Sequence, residues 1–324
     1  MAITFKYSKT PVASWPANIH TEFPRAYGYE DDGKFVVILA KEAPLFTFQN
    51  HWVVSDLVSG TLEAWVINRF AATDIEVLLL PAGNTIHGVW RPGLYFSRDI
   101  ASALGATDVE ERGCSQALGI LLGKLHDLLL YVEPNATGLA SHGHRSRELL
   151  ILAATEVENY WRYYAQKGGL VPTAGNFTTK DYVTLAEPLH LKEYQITLKG
   201  NAVLGPKRPF GTWDHSQPTR SLPWYDAYNK TKHDRDAHFS EASLDRCIEA
   251  ISACIAMFSV RFGPWLLIDG RSPAAATVQQ YFDIGLDAPS LETFYVPKYD
   301  VSRIAGLSWG TFAATPWIPR PFSA

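Results

Sequence analysis

The chain has 324 residues, 47% of them hydrophobic and 19% charged, with a net charge of −4. That length allows a large core and, at roughly 150 residues per domain, about two domains. The charge excludes nucleic-acid binding through a whole-chain basic bias and leaves room only for a local basic patch.

The opening MAITFKYSKTPVASWP has no apolar stretch behind a basic start, so a signal peptide is not expected. No segment reaches ~18 uninterrupted apolar residues, so no membrane span is expected either. The expected location is cytoplasmic, and the sequons at Asn135, Asn176 and Asn229 are then chance matches.

Residues 1 to about 110 read as strands and turns. KFVVILA (34–40) is a β-branched run after the turn EDDG, and LEAWVINRF, DIEVLLLPAG, NTIHGVW and GLYF follow as further β-type runs. RDIASALGATDVEER adds a short helix. From about residue 114 the period becomes helical, with Leu118, Leu121, Leu122, Leu125, Leu128 and Leu129 on one side. A longer helix follows in RSRELLILAATEVENYWRYYAQKGG, stopped by Gly168 and Gly169.

Residues 170–220 read as loops, with a short helix capped by Thr178 or Thr179 and a basic loop carrying Lys207, Arg208 and Arg220. Pro223 opens a third helix, predicted to run to a bend near Ser240 with a hydrophobic staple from Phe239 to Leu244. The fourth, LDRCIEAISACIAMFSV, puts Cys247 and Cys254 on its apolar face. Together with Cys114 these make an odd count without CxxC or framework spacing, which points to reduced thiols and against a zinc knuckle. Residues 264–324 return to turns, aromatics and short strands, and their aromatic tail WGTFAATPWIPRPF is expected to pack on the sheet.

Functional groups are densest in WYDAYNKTKHDRDAHF (224–239). On a helix, Asn229 and His233 stack one turn apart beside aromatics, while Lys232/Asp236 and Asp234/His238 are surface pairs. Glu156 stands among Leu149, Leu152, Tyr160 and Tyr163, and an acid there needs a partner; His233 or Lys232 is the expected one. Glu158 and Arg162 read as a solvated pair.

Four helices with YNKTKH (228–233) near the start of the third resemble the HEPN superfamily, small helical domains many of which are metal-independent ribonucleases. The resemblance covers about 114–262. Asn229 and His233 match the motif's polar and histidine positions, and Tyr228 stands where the family has arginine. The resemblance implies RNA cleavage with His233 as acid or base. It also implies Asn229 orienting the substrate or the ring, and Lys232 or Arg235 supplying the missing cation. Glu156 would be an orienting carboxylate or a tether between helices. Implied partners are RNA, a second copy of the chain in a homo-oligomer, and a protein partner such as an antitoxin, in stress or phage defence. No cofactor is implied.

Two alternatives stand beside it. An inactive HEPN-like bundle would serve as a sensor or assembly module. A metal-dependent phosphohydrolase of the HD type would use His126-Asp127 and His233-Asp234, with His142 and His144 between them.

The expected fold is α+β: a β-rich region over 1–112, a HEPN-like four-helix bundle over 113–262, and an irregular or β segment over 263–324 that packs on the N-terminal sheet.

Overall fold

The computed structural model describes residues 1–10, 12, 15–42, 45, 47–55, 60–95, 97–201, 204–301 and 314–324. The fold is α+β, in two compact units. The first is Met1–Gly105 with Pro289–Arg320, and the second is Ala106–Ala288 with Pro321–Ala324; the sequence-based divisions were placed at 112 and 262.

The first unit is built on β1 (Ala2–Lys6), α1 (Ile19–Glu22), β2 (Arg25–Asp31), β3 (Lys34–Lys41), β4 (Thr47–Val54), α2 (Leu62–Phe70), β5 (Thr73–Val77), β6 (Asn84–Ile86) and α3 (Ser97–Leu104). Five strands form an antiparallel sheet in the order β4-β3-β2-β1-β5. Asp32 and Gly33, at φ 51° and 70°, close the β2–β3 hairpin. Two successive left-handed residues match the twist of the flanking strands, and an Asp-Gly pair supplies them cheaply.

Both faces of this sheet are covered, which is why β3 reads as an unbroken apolar run. Phe35, Val37 and Leu39 face one cluster with Leu62, Val66 and Phe70 of α2. Val36, Ile38 and Tyr27 face another with Phe294, Val296 and Val301. LEAWVINRF is therefore a helix and not the expected strand. Leu62, Val66 and Phe70 recur every four residues, and the Thr61 side chain accepts from the Ala64 amide at 3.2 Å as its N-cap.

The second unit contains α4 (Asp108–Leu129), α5 (Ala136–Leu139), α6 (His144–Lys167), α7 (Thr179–Tyr182), β7 (Tyr194–Leu198) and β8 (Pro206–Lys207). After these come α8 (Pro223–His233), α9 (Arg235–His238), α10 (Leu244–Phe262), α11 (Trp265–Ile268), α12 (Pro273–Tyr281) and β9 (Phe282–Leu286). The helix α10 packs on α4, α6 and α8, and α6 packs on α4 and α8, so four long helices share one core. Every residue of α10 from Ala250 to Phe262 is buried, and the Cys247 and Cys254 thiols donate to the Ser146 and Ala153 carbonyls of α6. A small antiparallel sheet, β8-β7-β9, completes the unit. Residues 264–288, expected as turns and strands, include two helices; Pro273 suits the first turn of α12 and Ser272 caps it.

The chain returns to the first unit through Phe294–Val301 and β10 (Ile318–Arg320), which runs parallel to β6. Residues 309–313 of the aromatic tail lie outside the described residues. Its last aromatic, Phe322, packs edge-on against Tyr164 of α6 in the second unit. Among the described residues, no helix is long and apolar enough to cross a membrane.

Candidate functional site

Pro223 begins α8 as predicted, but the helix does not run on to Ser240. It breaks at Asp234, whose φ is −139° and whose side chain caps the short α9 by accepting from the Ala237 amide at 3.1 Å. An Asp that looked like a mid-helix partner of His238 is thus an N-cap, the role its short side chain favours. The next helix is capped by Ser243, not Ser240. Arg235 pairs with Asp236 at 3.1 Å, so the expected Lys232/Asp236 pair is not formed, and His238 lies 3.7 Å from Glu241.

The six predicted site residues divide. Tyr228 is buried, and its hydroxyl accepts from Lys232 Nζ at 2.8 Å, with the ammonium 5.0 Å from the ring centroid. That hydrogen bond holds the Lys232 ammonium above its ordinary pKa, against an opposing effect of burial. Asn229 is half-buried, and its amide donates to the Tyr225 carbonyl at 3.2 Å. Lys232, His233 and Arg235 are exposed. His233 is the last residue of α8, and no hydrogen bond or ion pair holds its ring among the described residues.

Glu156 is elsewhere. It sits on the side of α6 that meets Cys114 of α4 and Cys254 of α10, and Asn159 donates to it at 3.4 Å. Burial pushes its carboxyl pKa up, and the Asn159 contact only partly offsets this. The expected link from Glu156 to His233 or Lys232 is not made; the residue two positions on makes the α6–α8 link instead. Tyr225 donates its hydroxyl to Glu158 Oε1 at 2.5 Å. Burial, then the neighbouring carboxylate, drives the Tyr225 pKa far up, so the phenol stays protonated. Arg162, expected to pair with Glu158, hydrogen-bonds Tyr182.

Beneath this network lies an aromatic layer. Trp161 stacks on Trp213 at 4.7 Å, with Tyr182, Tyr225, Phe210 and Trp224 around it. The Trp224 and Trp213 indoles donate to the Pro209 and Pro218 carbonyls, which fastens the proline-rich loop over α6 and α8. The basic loop residues Lys207 and Arg208 are likewise engaged, with Asp245 at 2.6 Å and Asp287 at 2.7 Å.

The end of α8 meets the start of α6. Arg147 donates twice to the Thr231 carbonyl, at 3.1 and 2.9 Å, satisfying a C-terminal carbonyl that the helix leaves open. The rings of His142 and His144 lie 5.6 and 4.9 Å from Phe239. His142 and His144 thus form a corner with Phe239, which follows His238 in sequence, and Arg147 ties this start of α6 to the end of α8, where Lys232 and His233 stand with Arg235 just beyond. A cavity of about 100 Å³ beside this corner is lined by Leu128, Val132, His142, Arg145 and Leu244. Asn229 and His233 do not line it.

The HD-type ligand set does not converge. His126 is half-buried with its Nδ1 2.6 Å from the Tyr281 hydroxyl. Among the described residues, no group of three or more His, Cys, Asp or Glu is placed to hold a metal ion. Sequence reasoning missed Tyr225, Glu158 and Arg147. The only signal for them was their chemistry on helix faces, since what each touches depends on how α6 and α8 pack. Comparison with protein-family models, with curated proteins and with solved structures gave no match.

Proposed function

We propose that the second unit is a HEPN-like helical module that binds single-stranded RNA at the end of α8 without cutting it. The observation that carries this reading is the division within the YNKTKH stretch. Lys232 and His233, with Arg235 just beyond, face solvent, while Tyr228 and Asn229 are engaged within the bundle. A catalytic imidazole needs a group to orient it and a second group for the other proton. Asn229 is bonded to its own helix, and Glu156 faces α4 and α10, so neither serves His233.

Binding asks less of the corner. Arg145, Lys232 and Arg235 offer cations to phosphates, and Phe239 and the surrounding imidazoles offer ring faces to unstacked bases. The nearby acids are committed: Asp234 caps α9, Asp236 holds Arg235, and Glu241 holds Lys230 at 3.2 Å. The exposed Arg235–Asp236 pair is weak enough to yield to a phosphate.

The test is incubation of the purified chain with single-stranded RNA in EDTA, beside His233→Ala. The reading expects a shifted complex with the RNA intact in both. RNA degraded by the wild type and spared by His233→Ala would replace it with metal-independent cleavage. Absence of any complex would leave the bundle as a sensor or assembly module.

A further inference from the structure

The cavity between the end of α4 and the start of α6 has a lining that contact with phosphates alone does not call for. Leu244 and Ser146 are buried and form its floor, Leu128 and Val132 are half-buried walls, and Ser141 and Arg145 are exposed at its mouth. Its rim is tied down. The Leu244 amide donates to the Ser141 carbonyl at 2.9 Å, and His142 forms an antiparallel bridge with Ser243. A preformed hollow with apolar walls and a few fixed polar groups suits a small flat ligand.

Size and hydrogen-bonding groups narrow that ligand. A cavity of about 100 Å³ takes roughly seven to ten non-hydrogen atoms, at ~10–15 Å³ for each water-sized group. A one-ring base with its exocyclic groups falls within that range, and a two-ring purine reaches or exceeds its limit. The acceptors around the cavity are already in use. The Ser141 carbonyl holds the Leu244 amide, and the Gly143 carbonyl accepts from the Arg147 amide and the Ser146 hydroxyl, both at 2.9 Å. The Ser146 hydroxyl in turn accepts from the Gly143 amide at 2.8 Å. The donors are open. The first amides of a helix have no acceptor inside it, and α6 begins with no side-chain cap and no acidic residue in its first turn. Among the described residues that line the cavity there is no carboxylate. An edge of carbonyl oxygens satisfies such a lining. Uracil presents carbonyl oxygens on both sides of its imide N–H, which the exposed Ser141 hydroxyl can accept. Cytosine replaces one of those oxygens with an amino group that would face donors and go unpaired.

We propose that this cavity takes a single uracil base of the RNA held at the α8 corner and makes the corner selective for uracil. The inference rests on the RNA-binding reading. His142 lines the cavity and has its ring 5.6 Å from that of Phe239, so a neighbouring base can stack there while the uracil is inserted.

Fluorescence anisotropy of the full chain with oligo-U, oligo-C and oligo-A of equal length, in EDTA, tests this. Oligo-U is expected to bind roughly 10-fold tighter than oligo-A, the worth of one well-held base, with oligo-C between them. Val132→Phe fills the cavity from a wall, and Ser141→Phe closes its mouth from an exposed position where the fold is not at stake. Each should lower oligo-U affinity by roughly the same 10-fold and leave oligo-A affinity unchanged, with circular dichroism as the check on folding. Uridine monophosphate should displace oligo-U only in large excess. Equal binding of oligo-U and oligo-A, or an oligo-U affinity that neither variant lowers, overturns the proposal and leaves RNA binding standing. Oligo-C as tight as oligo-U overturns the choice of uracil, and uridine monophosphate as strong as oligo-U overturns RNA as its source. Absence of binding by every oligonucleotide overturns the RNA-binding reading and this inference with it.

Discussion

The Tyr225 hydroxyl of α8 donates to Glu158 Oε1 of α6 at 2.5 Å. One turn along α8, Asn229 bonds the Tyr225 carbonyl. The Tyr225 hydroxyl therefore ties α8 to α6, and Asn229 is engaged within its own helix. Tyr225→Phe leaves a half-buried carboxylate without its donor, and hydrogen bonds to charged groups contribute ~1.5–3 kcal/mol. Urea unfolding should show a stability loss of that size with an unchanged slope, and RNA affinity should not move.

Arg147 holds the Thr231 carbonyl near the end of α8 with two hydrogen bonds. Its replacement by Ala removes a charged donor from a carbonyl with no helical partner, at a cost of ~1–3 kcal/mol. Amide exchange should quicken first over residues 230–238, because the break at Asp234 already isolates that segment. Uniform quickening across α10 would contradict this placement.

Asp181 accepts from the Thr173 and Thr178 amides at 3.0 and 2.8 Å, and from both threonine hydroxyls. These bonds, led by the Thr173 hydroxyl, hold its carboxyl down at about 2. The unfolded chain titrates it near ~3.9. A depressed folded pKa means stability that is fully present above the unfolded value and lost as pH falls through the folded one. Asp181→Asn should therefore be less stable than wild type at pH 7. The gap should close between about pH 4 and 2 in acid-titrated thermal unfolding, and a gap that widens over that range would refute the sign.

Glu156 has the opposite sign. Burial raises its folded carboxyl pKa, so its ionisation weakens the folded state as pH rises past the unfolded value. Glu156→Gln should be at least as stable as wild type at pH 7, with the advantage vanishing in acid. A loss of stability or of RNA binding at neutral pH would show that the carboxylate has a partner at the α8 corner after all.

Long periodic elements were legible from the sequence. The apolar faces of α6 and α10 follow the helical period over five or more turns, and the Val-Val-Ile-Leu run of β3 has the composition of a strand covered on both sides. Failures occurred where one side chain decides between structures. LEAWVINRF is rich in β-formers, but Thr61 caps it and a four-residue repeat buries it. Asp234 has the spacing of a surface pair but the geometry of a cap. The site was legible as a cluster and not as an arrangement. Glu156 and Glu158 differ by two positions, a turn of roughly 200° around the helix, and only the packing of α6 decides which of them reaches α8. Tyr225 could be placed on the buried face, but its carboxylate partner lies 67 residues away in sequence.

The most direct test of RNA binding at the α8 corner is the salt dependence of single-stranded RNA affinity, measured by fluorescence anisotropy in EDTA. If Arg145, Lys232 and Arg235 each neutralise one phosphate, log K should fall with log salt at a slope of roughly −2, about −0.7 per contact. Lys232→Ala should flatten that slope by about 0.7, and Lys232→Ala/Arg235→Ala by about twice as much, with the RNA intact throughout. An affinity and slope untouched by both variants, or RNA that disappears during the measurement unless His233 is replaced, would contradict the account.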